Sequence, residues 1–296
     1  PGTVTSMWPQ APGAQNLNSA KGECLLCQCV PVSNCEILVP GKVVLTENSG
    51  MSPQHQFGQL VNVEEVAPSV ATFELELDQS ITFLAGQYLL LRLPAMEGYR
   101  PYSMTSFSVY SQNPTFVIKC VPGGQFSETL FNDNFKAAWV DVFGPMGKAT
   151  FDPTEERDLT CMVGGSGIAG IMSILRQSRD INYFSEHKLT MVFGVRKPED
   201  FFFLDELRDI QKSVPANINI HLAVSDSSDS NSVPAELSGL PIWRGFVHEV
   251  AERVMGKDLS GRLGLLGGPP AMLDGSLRLL LSAGVPVHDI RYDKFG

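Results

Sequence analysis

Positive charge is scarce in this chain. Lys and Arg number 22 against 32 Asp and Glu, a formal net charge of −10 over 296 residues. That balance argues against nucleic acid as a partner. Long apolar runs are also missing. The longest, Ile81 to Pro94, is interrupted by Gln87 and Arg92, so it reads as buried strand and not as a membrane span. No secretory signal is visible, and the expected location is cytoplasmic. Cysteine is sparse, with six residues, four of them between Cys24 and Cys35. A disulfide scaffold does not suit a chain of this size without a secretory signal. Cys120 and Cys161 lie in apolar segments and read as inert core thiols. The opening Pro-Gly, in place of Met, predicts a segment upstream.

What is present divides into three stretches. Residues 1–45 are turn-rich and poorly periodic, with too little apolar surface for an independent domain. Residues 46–152 read as strand after strand. Phe73, Leu75 and Leu77 alternate with Glu74, Glu76 and Asp78, one face for a core and one for water. Further short runs follow around Gly86, over Thr115–Cys120 and over Trp139–Phe143, with a short helix over Ser127–Phe131. Many short strands at close spacing predict an antiparallel barrel. In residues 153–296 strands alternate with helices. The strands are expected over Leu159–Val163, Leu189–Gly194, Asn217–Val224, Leu263–Leu266 and His288–Tyr292. The last helix carries Pro269-Pro270 at its start, Gly284 at its end, and a buried face of Leu273, Leu277, Leu280 and Leu281. This rhythm predicts a parallel sheet covered on both sides.

Three short runs carry chemistry. In Arg100-Pro101-Tyr102-Ser103, a guanidinium, a flat ring and a hydroxyl stand together, able to hold a phosphate, stack a ring and donate a hydrogen bond. Gly165-Ser166-Gly167-Ile168-Ala169-Gly170 fits G-x-G-x-x-G between a strand and a helix, as a phosphate at a helix N-terminus requires. A tight strand-to-helix turn would give the same pattern. The ordinary dinucleotide fingerprint also wants an acid at the end of the second strand, and here that strand ends Gly194-Val195-Arg196-Lys197. The third run is Gly267-Gly268-Pro269-Pro270. Together they suggest two nucleotides held face to face, an arrangement for hydride transfer.

These runs resemble the ferredoxin–NADP⁺ reductase superfamily. Within it they resemble the reductase component of bacterial aromatic-ring dioxygenases and soluble multicomponent monooxygenases. Gly86-Gln87-Tyr88, Arg100-Pro101-Tyr102-Ser103, Ile118-Lys119 with Gly123-Gly124-Gln125-Phe126-Ser127, Gly144-Pro145-Met146-Gly147, Gly164 to Ala169, Gly268 to Met272 and Asp293-Lys294-Phe295 occur in the family's order over residues 86–296. Ser6-Met7-Trp8-Pro9 and Leu26-Cys27-Gln28-Cys29-Val30-Pro31 resemble the tail of a plant-type [2Fe-2S] domain. The resemblance implies an antiparallel six-stranded β-barrel for FAD, then a five-stranded parallel α/β domain for the nicotinamide nucleotide. Residues 1–45 would be a remnant of the ferredoxin-like domain plus a linker.

The resemblance also assigns roles. Arg100 would pair with the flavin pyrophosphate, with Pro101, Ile118 and Lys119 also on the flavin. Tyr102 would lie along the isoalloxazine, and the Ser103 hydroxyl would reach its N5 edge. Gly123 and Gly124 would bring backbone N–H groups to the phosphates, and Ser127 would cap the next helix. Gly164, Gly165, Ser166 and Gly167 would carry the pyrophosphate of NADH, with Gly268, Pro269 and Met272 at the nicotinamide end. Asp200 matches an acid that selects ribose hydroxyls over a 2′-phosphate, favouring NADH over NADPH. Arg196 and Lys197 pull the other way, and a helix N-terminal charge would also explain Asp200. Asp293 matches a carboxylate near N5 and Phe295 an aromatic gate, although a frayed end would look the same. Many relatives carry cysteine where this chain has Gly267, so a thiol there is not essential. His221 and His248 read as structural.

Cys27 matches the fourth ligand of a plant-type cluster. The other three ligands are absent, so [2Fe-2S] belongs to an intact parent and is not expected to assemble here. Zinc on Cys24, Cys27, Cys29 and Cys35 is an alternative, as are four reduced structural thiols. The expected activity is oxidation of NADH through FAD, with electrons passed to a ferredoxin or oxygenase. The rivals are a stand-alone flavin reductase and a non-catalytic electron-transfer subunit.

Overall fold

The computed structural model describes residues 2–38, 52–94, 96–132, 139–226 and 236–294. At the N-terminus β1 (Val4–Ser6) and β2 (Cys29–Pro31) pair antiparallel. The expected boundary after residue 45 lies outside the described residues.

The first lobe comprises β3 (Gln54–Ala67), β4 (Val70–Leu77), β5 (Ile81–Phe83), β6 (Tyr88–Arg92), β7 (Arg100–Ser103), β8 (Ser108–Ser111), β9 (Thr115–Lys119), α1 (Gln125–Asn132) and β10 (Trp139–Met146). Six strands form one antiparallel sheet in the order β7-β6-β10-β3-β4-β9, and β5 pairs with β8 in a separate ribbon. The sheet curls until the chain after β7 meets β9 through the antiparallel bridge Met104–Phe116. This is the expected barrel. The alternation in β4 explains its core: Phe73, Leu75 and Leu77 are at most 1% exposed, and Phe73 stacks on Phe116 with ring centres 5.0 Å apart. Cys120, expected in the core, is only half-buried just past the end of β9, where the chain leaves the sheet. Cys161 is fully buried, which pushes its thiol up to about 12.

Asp152 caps the turn Pro153–Glu155 that leads into the second lobe. There β11 (Leu159–Gly164), α2 (Ala169–Asp180), β12 (Leu189–Val195), α3 (Leu204–Ser213), β13 (Ile218–Val224), β14 (Glu236–Leu237), β15 (Leu240–Arg244), α4 (Val247–Val254), β16 (Leu263–Gly268), α5 (Pro270–Ser282) and β17 (Ile290–Lys294) build one sheet flanked by helices. The strand order is β14-β15-β13-β12-β11-β16-β17, parallel throughout except for β14. All five expected strands are present, and β15 adds a sixth parallel strand. Pro241 lies within it, a residue that strands accept at edges. It is tolerated where β15 meets the two-residue edge strand β14. The last strand starts at Ile290 because Val287–Asp289 make a 3-10 turn. Leu281, expected on the buried face of α5, is 46% exposed. It lies about 80° round the helix from Leu273, off the stripe.

The lobes share a core. Val70, Ala85, Val117 and Phe151 of the first lobe pack in one cluster with Ile168, Ala169 and Met172 of the second. Polar ties reinforce it: Arg176 donates to the Thr105 carbonyl at 2.8 Å and pairs with Glu206 at 2.7 Å. The Gly86 N–H donates to Ser173 Oγ at 2.8 Å. Among the described residues no helix is long and apolar enough to cross a membrane.

Candidate active site

The lobes face each other across a cavity of about 1020 Å³. β7 supplies one wall with Arg100, Pro101, Tyr102 and Ser103. Arg100 donates to the carbonyls of Glu97 (3.0 Å) and Tyr99 (3.3 Å) and to Gln125 Oε1 (3.3 Å). All are neutral acceptors, so its charge stays uncompensated for an anion, and burial lowers its pKa. The Tyr102 ring leans on Phe126 of α1, centres 4.8 Å apart. Burial raises its phenol far above the ordinary value, so it stays a neutral wall. Ile118, Lys119, Gly124 and Ser127 continue the lining.

The glycine pair behaves differently from the expectation. The Gly123 N–H donates to the Glu128 carboxylate at 2.7 Å and Gly124 N–H to the Val121 carbonyl at 2.8 Å. Ser127 does not sit at the cap: from within the first turn its Oγ accepts from Val121 N–H at 3.1 Å and donates to the Gly124 carbonyl at 3.3 Å. The turn therefore satisfies its own donors and sets the angle of α1. Gly123 is in the left-handed region (φ 77°) with open space around it, and it stands off the cavity. The backbone donors left for a phosphate are those of the first turn of α1, where Gln125 and Phe126 border the cavity.

The opposite wall forms at the C-terminal ends of β11 and β16, where the strand order reverses. Ligands of open α/β sheets bind at such switch points. Gly164, Gly165, Ser166 and Gly167 line it. Gly165 adopts φ 52° with nothing near its missing Cβ. Gly167 and Gly267 are pressed together backbone to backbone, and a Cβ on Gly267 would run into the Gly167 carbonyl oxygen. Gly267 is thus a packing requirement of the turn. Gly268 stands behind the wall, which Pro269 and Met272 complete. Met272 Sδ lies 2.8 Å from where a Gly164 Cβ would be, so its thioether fills the space under the glycine turn.

Ser103 and Asp293, 190 residues apart, meet at this junction. Ser103, 4% exposed, donates from Oγ to Asp293 Oδ2 at 3.1 Å. Burial pushes the Asp293 carboxyl up to about 6, and the Ser103 hydrogen bond opposes that shift. Lys294 reaches the cavity, and Phe295 lies outside the described residues. Asp200 borders the cavity beside Arg196 and also accepts from the Lys197 N–H at 3.1 Å. It serves the turn and faces the site. Lys197 does not line it.

Several lining residues were not anticipated. Phe246 and His248 stand after β15, their rings parallel within 9° and 6.0 Å apart. His248, expected to be structural, borders the cavity and packs its ring over Gly275. Gly245-Phe246-Val247 repeats the strand-glycine-helix pattern seen after β11, a signal visible only once β15 is recognised. Trp8 also lines the cavity. His221 instead accepts from Trp243 Nε1 at 3.2 Å. Among the described residues no three His, Cys, Asp or Glu side chains gather to hold a metal, so Cys24, Cys29 and Cys35 form no zinc site. The Cys27 side chain, expected as a cluster ligand, lies outside the described residues. The cationic, flat-walled half of the cavity does fit a flavin dinucleotide.

Comparison with known proteins agrees with this geometry. Residues 58–151 match the oxidoreductase FAD-binding domain and residues 162–277 the oxidoreductase NAD-binding domain. The ferredoxin–NAD(P)⁺ reductase CarAd of Metapseudomonas resinovorans is 30% identical over 99% of this chain and 85% of its own length. The ferredoxin–NAD⁺ reductase component of the alkene monooxygenase system of Xanthobacter autotrophicus is 29% identical over 99% of this chain and 86% of its own. The solved ferredoxin reductase in carbazole 1,9a-dioxygenase superposes with a TM-score of 0.80 at 31% identity, over 100% of this chain and 84% of that one. With both nucleotide-binding modules in family order and a shared cavity between them, the chain belongs to the FAD- and NAD-binding ferredoxin–NAD(P)⁺ reductases of multicomponent oxygenase systems.

Proposed function

We propose that the protein oxidises NADH and hands the electrons, through FAD, to a ferredoxin or oxygenase protein. The observation that carries this reading is the convergence of β7 and the glycine turns after β11 and β16 on one cavity. Bound FAD supplies the chemistry that takes a hydride and releases electrons singly. The chain supplies binding, orientation and electrostatics. Arg100, held on neutral acceptors, is placed for the flavin pyrophosphate, and Tyr102 for one face of the ring. Ser103 presents a hydroxyl fixed by Asp293. Gly164–Gly167 leave bare backbone for the second pyrophosphate, and Met272 and Pro269 limit where the nicotinamide lies. Such placement is what brings reacting atoms within about 3–3.5 Å. Asp200 favours ribose hydroxyls, and Arg196 moderates that preference.

The test is to load the protein with FAD, pass it through a desalting column, and titrate it anaerobically with NADH. Retained flavin whose visible band bleaches supports the proposal. Flavin lost on the column would favour a stand-alone flavin reductase. Retained flavin indifferent to NADH would favour a non-catalytic electron-transfer subunit.

A further inference from the structure

The N-terminal segment is clamped onto the first lobe at the Arg100 end of the cavity. Gln28, 6% exposed, grips the backbone of Tyr99: its Nε2 donates to the Tyr99 carbonyl at 3.2 Å and its Oε1 accepts from the Tyr99 N–H at 3.3 Å. The Gln28 carbonyl in turn accepts from Met7 N–H at 2.8 Å, which fixes the neighbouring Trp8. Trp8 lies over Gly98, whose φ of 64° and missing side chain make room for it: a Cβ at Gly98 would be 2.6 Å from Trp8 Cβ. The indole ends up flat against the guanidinium, with Arg100 Cζ 3.4 Å from the ring centre.

This arrangement solves a problem that the flavin site poses. Arg100 is joined only to neutral oxygens among the described residues, so no carboxylate holds it in place. A long cationic side chain left to itself extends into water and loses entropy when a ligand orders it. An indole face attracts a guanidinium without neutralising it and leaves its in-plane donors clear, so Nε and the second Nη2 hydrogen, which the three neutral acceptors do not engage, remain for phosphate.

We propose that Trp8 is a positioning residue of the flavin site: its indole holds the Arg100 guanidinium for the cofactor's pyrophosphate, so the N-terminal segment sets part of the FAD affinity. This rests on the reading that Arg100 grips that pyrophosphate. The experiment measures the FAD dissociation constant of the full-length apoprotein by flavin fluorescence for wild type, Trp8→Phe, Trp8→Leu, Arg100→Ala and the Trp8→Leu/Arg100→Ala pair, with thermal melts confirming that each is folded. Phe keeps an aromatic face, and Leu keeps only apolar bulk. Trp8→Leu should weaken FAD about fivefold to thirtyfold, and Trp8→Phe should recover most of the loss. With Arg100 already removed, Trp8→Leu should add little further loss, as coupled residues behave. Equal affinities for the Phe and Leu variants, or the same loss with and without Arg100, would overturn the role of Trp8 and leave Arg100 as the phosphate ligand. Wild-type affinity in Arg100→Ala would instead overturn the assignment of Arg100, and this inference with it.

Discussion

Replacing Asp293 with Asn should stabilise the protein at alkaline pH and leave it nearly unchanged at acid pH. Asp293 sits at the lobe interface with one hydrogen bond, from Ser103, and burial has raised its carboxyl from 3.8 to about 6. Between those values the native state holds the proton more firmly than the unfolded chain, so stability falls as pH rises through the window and levels off above it. A shift of that size corresponds to about 3 kcal/mol at 1.36 kcal/mol per pKa unit. The carboxyl keeps some contact with water, and solvent screening brings the cost at pH 8 to about 2 kcal/mol. Asparagine has nearly the same shape, accepts from Ser103 and carries no charge to desolvate. Urea unfolding from pH 4 to pH 8 reads the difference directly. The gap between variant and wild type should open from near zero at pH 4 to about 2 kcal/mol at pH 8, while other titrating groups cancel. Parallel stability profiles would refute the burial argument.

Three further outcomes follow from the site. Ser103→Ala should retain flavin but slow its reduction by NADH in stopped-flow measurements, and unchanged kinetics would remove Ser103 from the reaction. Gly267→Cys, which puts back the thiol of many relatives, should lower stability by about 1–3 kcal/mol through overpacking against Gly167 and should not speed reduction; a faster, equally stable variant would show that the turn yields. Asp200→Ala should shift the ratio of kcat/KM for NADH over NADPH towards NADPH, and an unchanged ratio would reduce Asp200 to its turn-capping role.

The parts of the fold legible in the sequence were those where one physical signal dominates. Phe73, Leu75 and Leu77 alternate because one face of β4 is core. β11 reads as an apolar run broken only by Thr160 because both of its faces are covered. β15 (Leu240–Arg244) is short and holds Pro241, a weak strand signal, and without it the turn that follows, where Phe246 and His248 add two rings to the cavity, has no signal either. Gly123 precedes α1 and Ser127 lies in its first turn, and local sequence does not reveal that Glu128 and Val121 claim their hydrogen bonds. The approach of Ser103 to Asp293 was implied by resemblance, whereas the contact of Trp8 with Arg100 had no sequence signal: only the clamp of Gln28 on Tyr99 brings them together.

The central claim is that the cavity aligns NADH for direct hydride transfer to a flavin held on β7. Anaerobic rapid mixing of the FAD-loaded protein with NADH, and with NADH deuterated at the transferred C4 position, tests it most directly. The account predicts prompt loss of the flavin band with a primary isotope effect on its rate. A band that survives saturating NADH would contradict it.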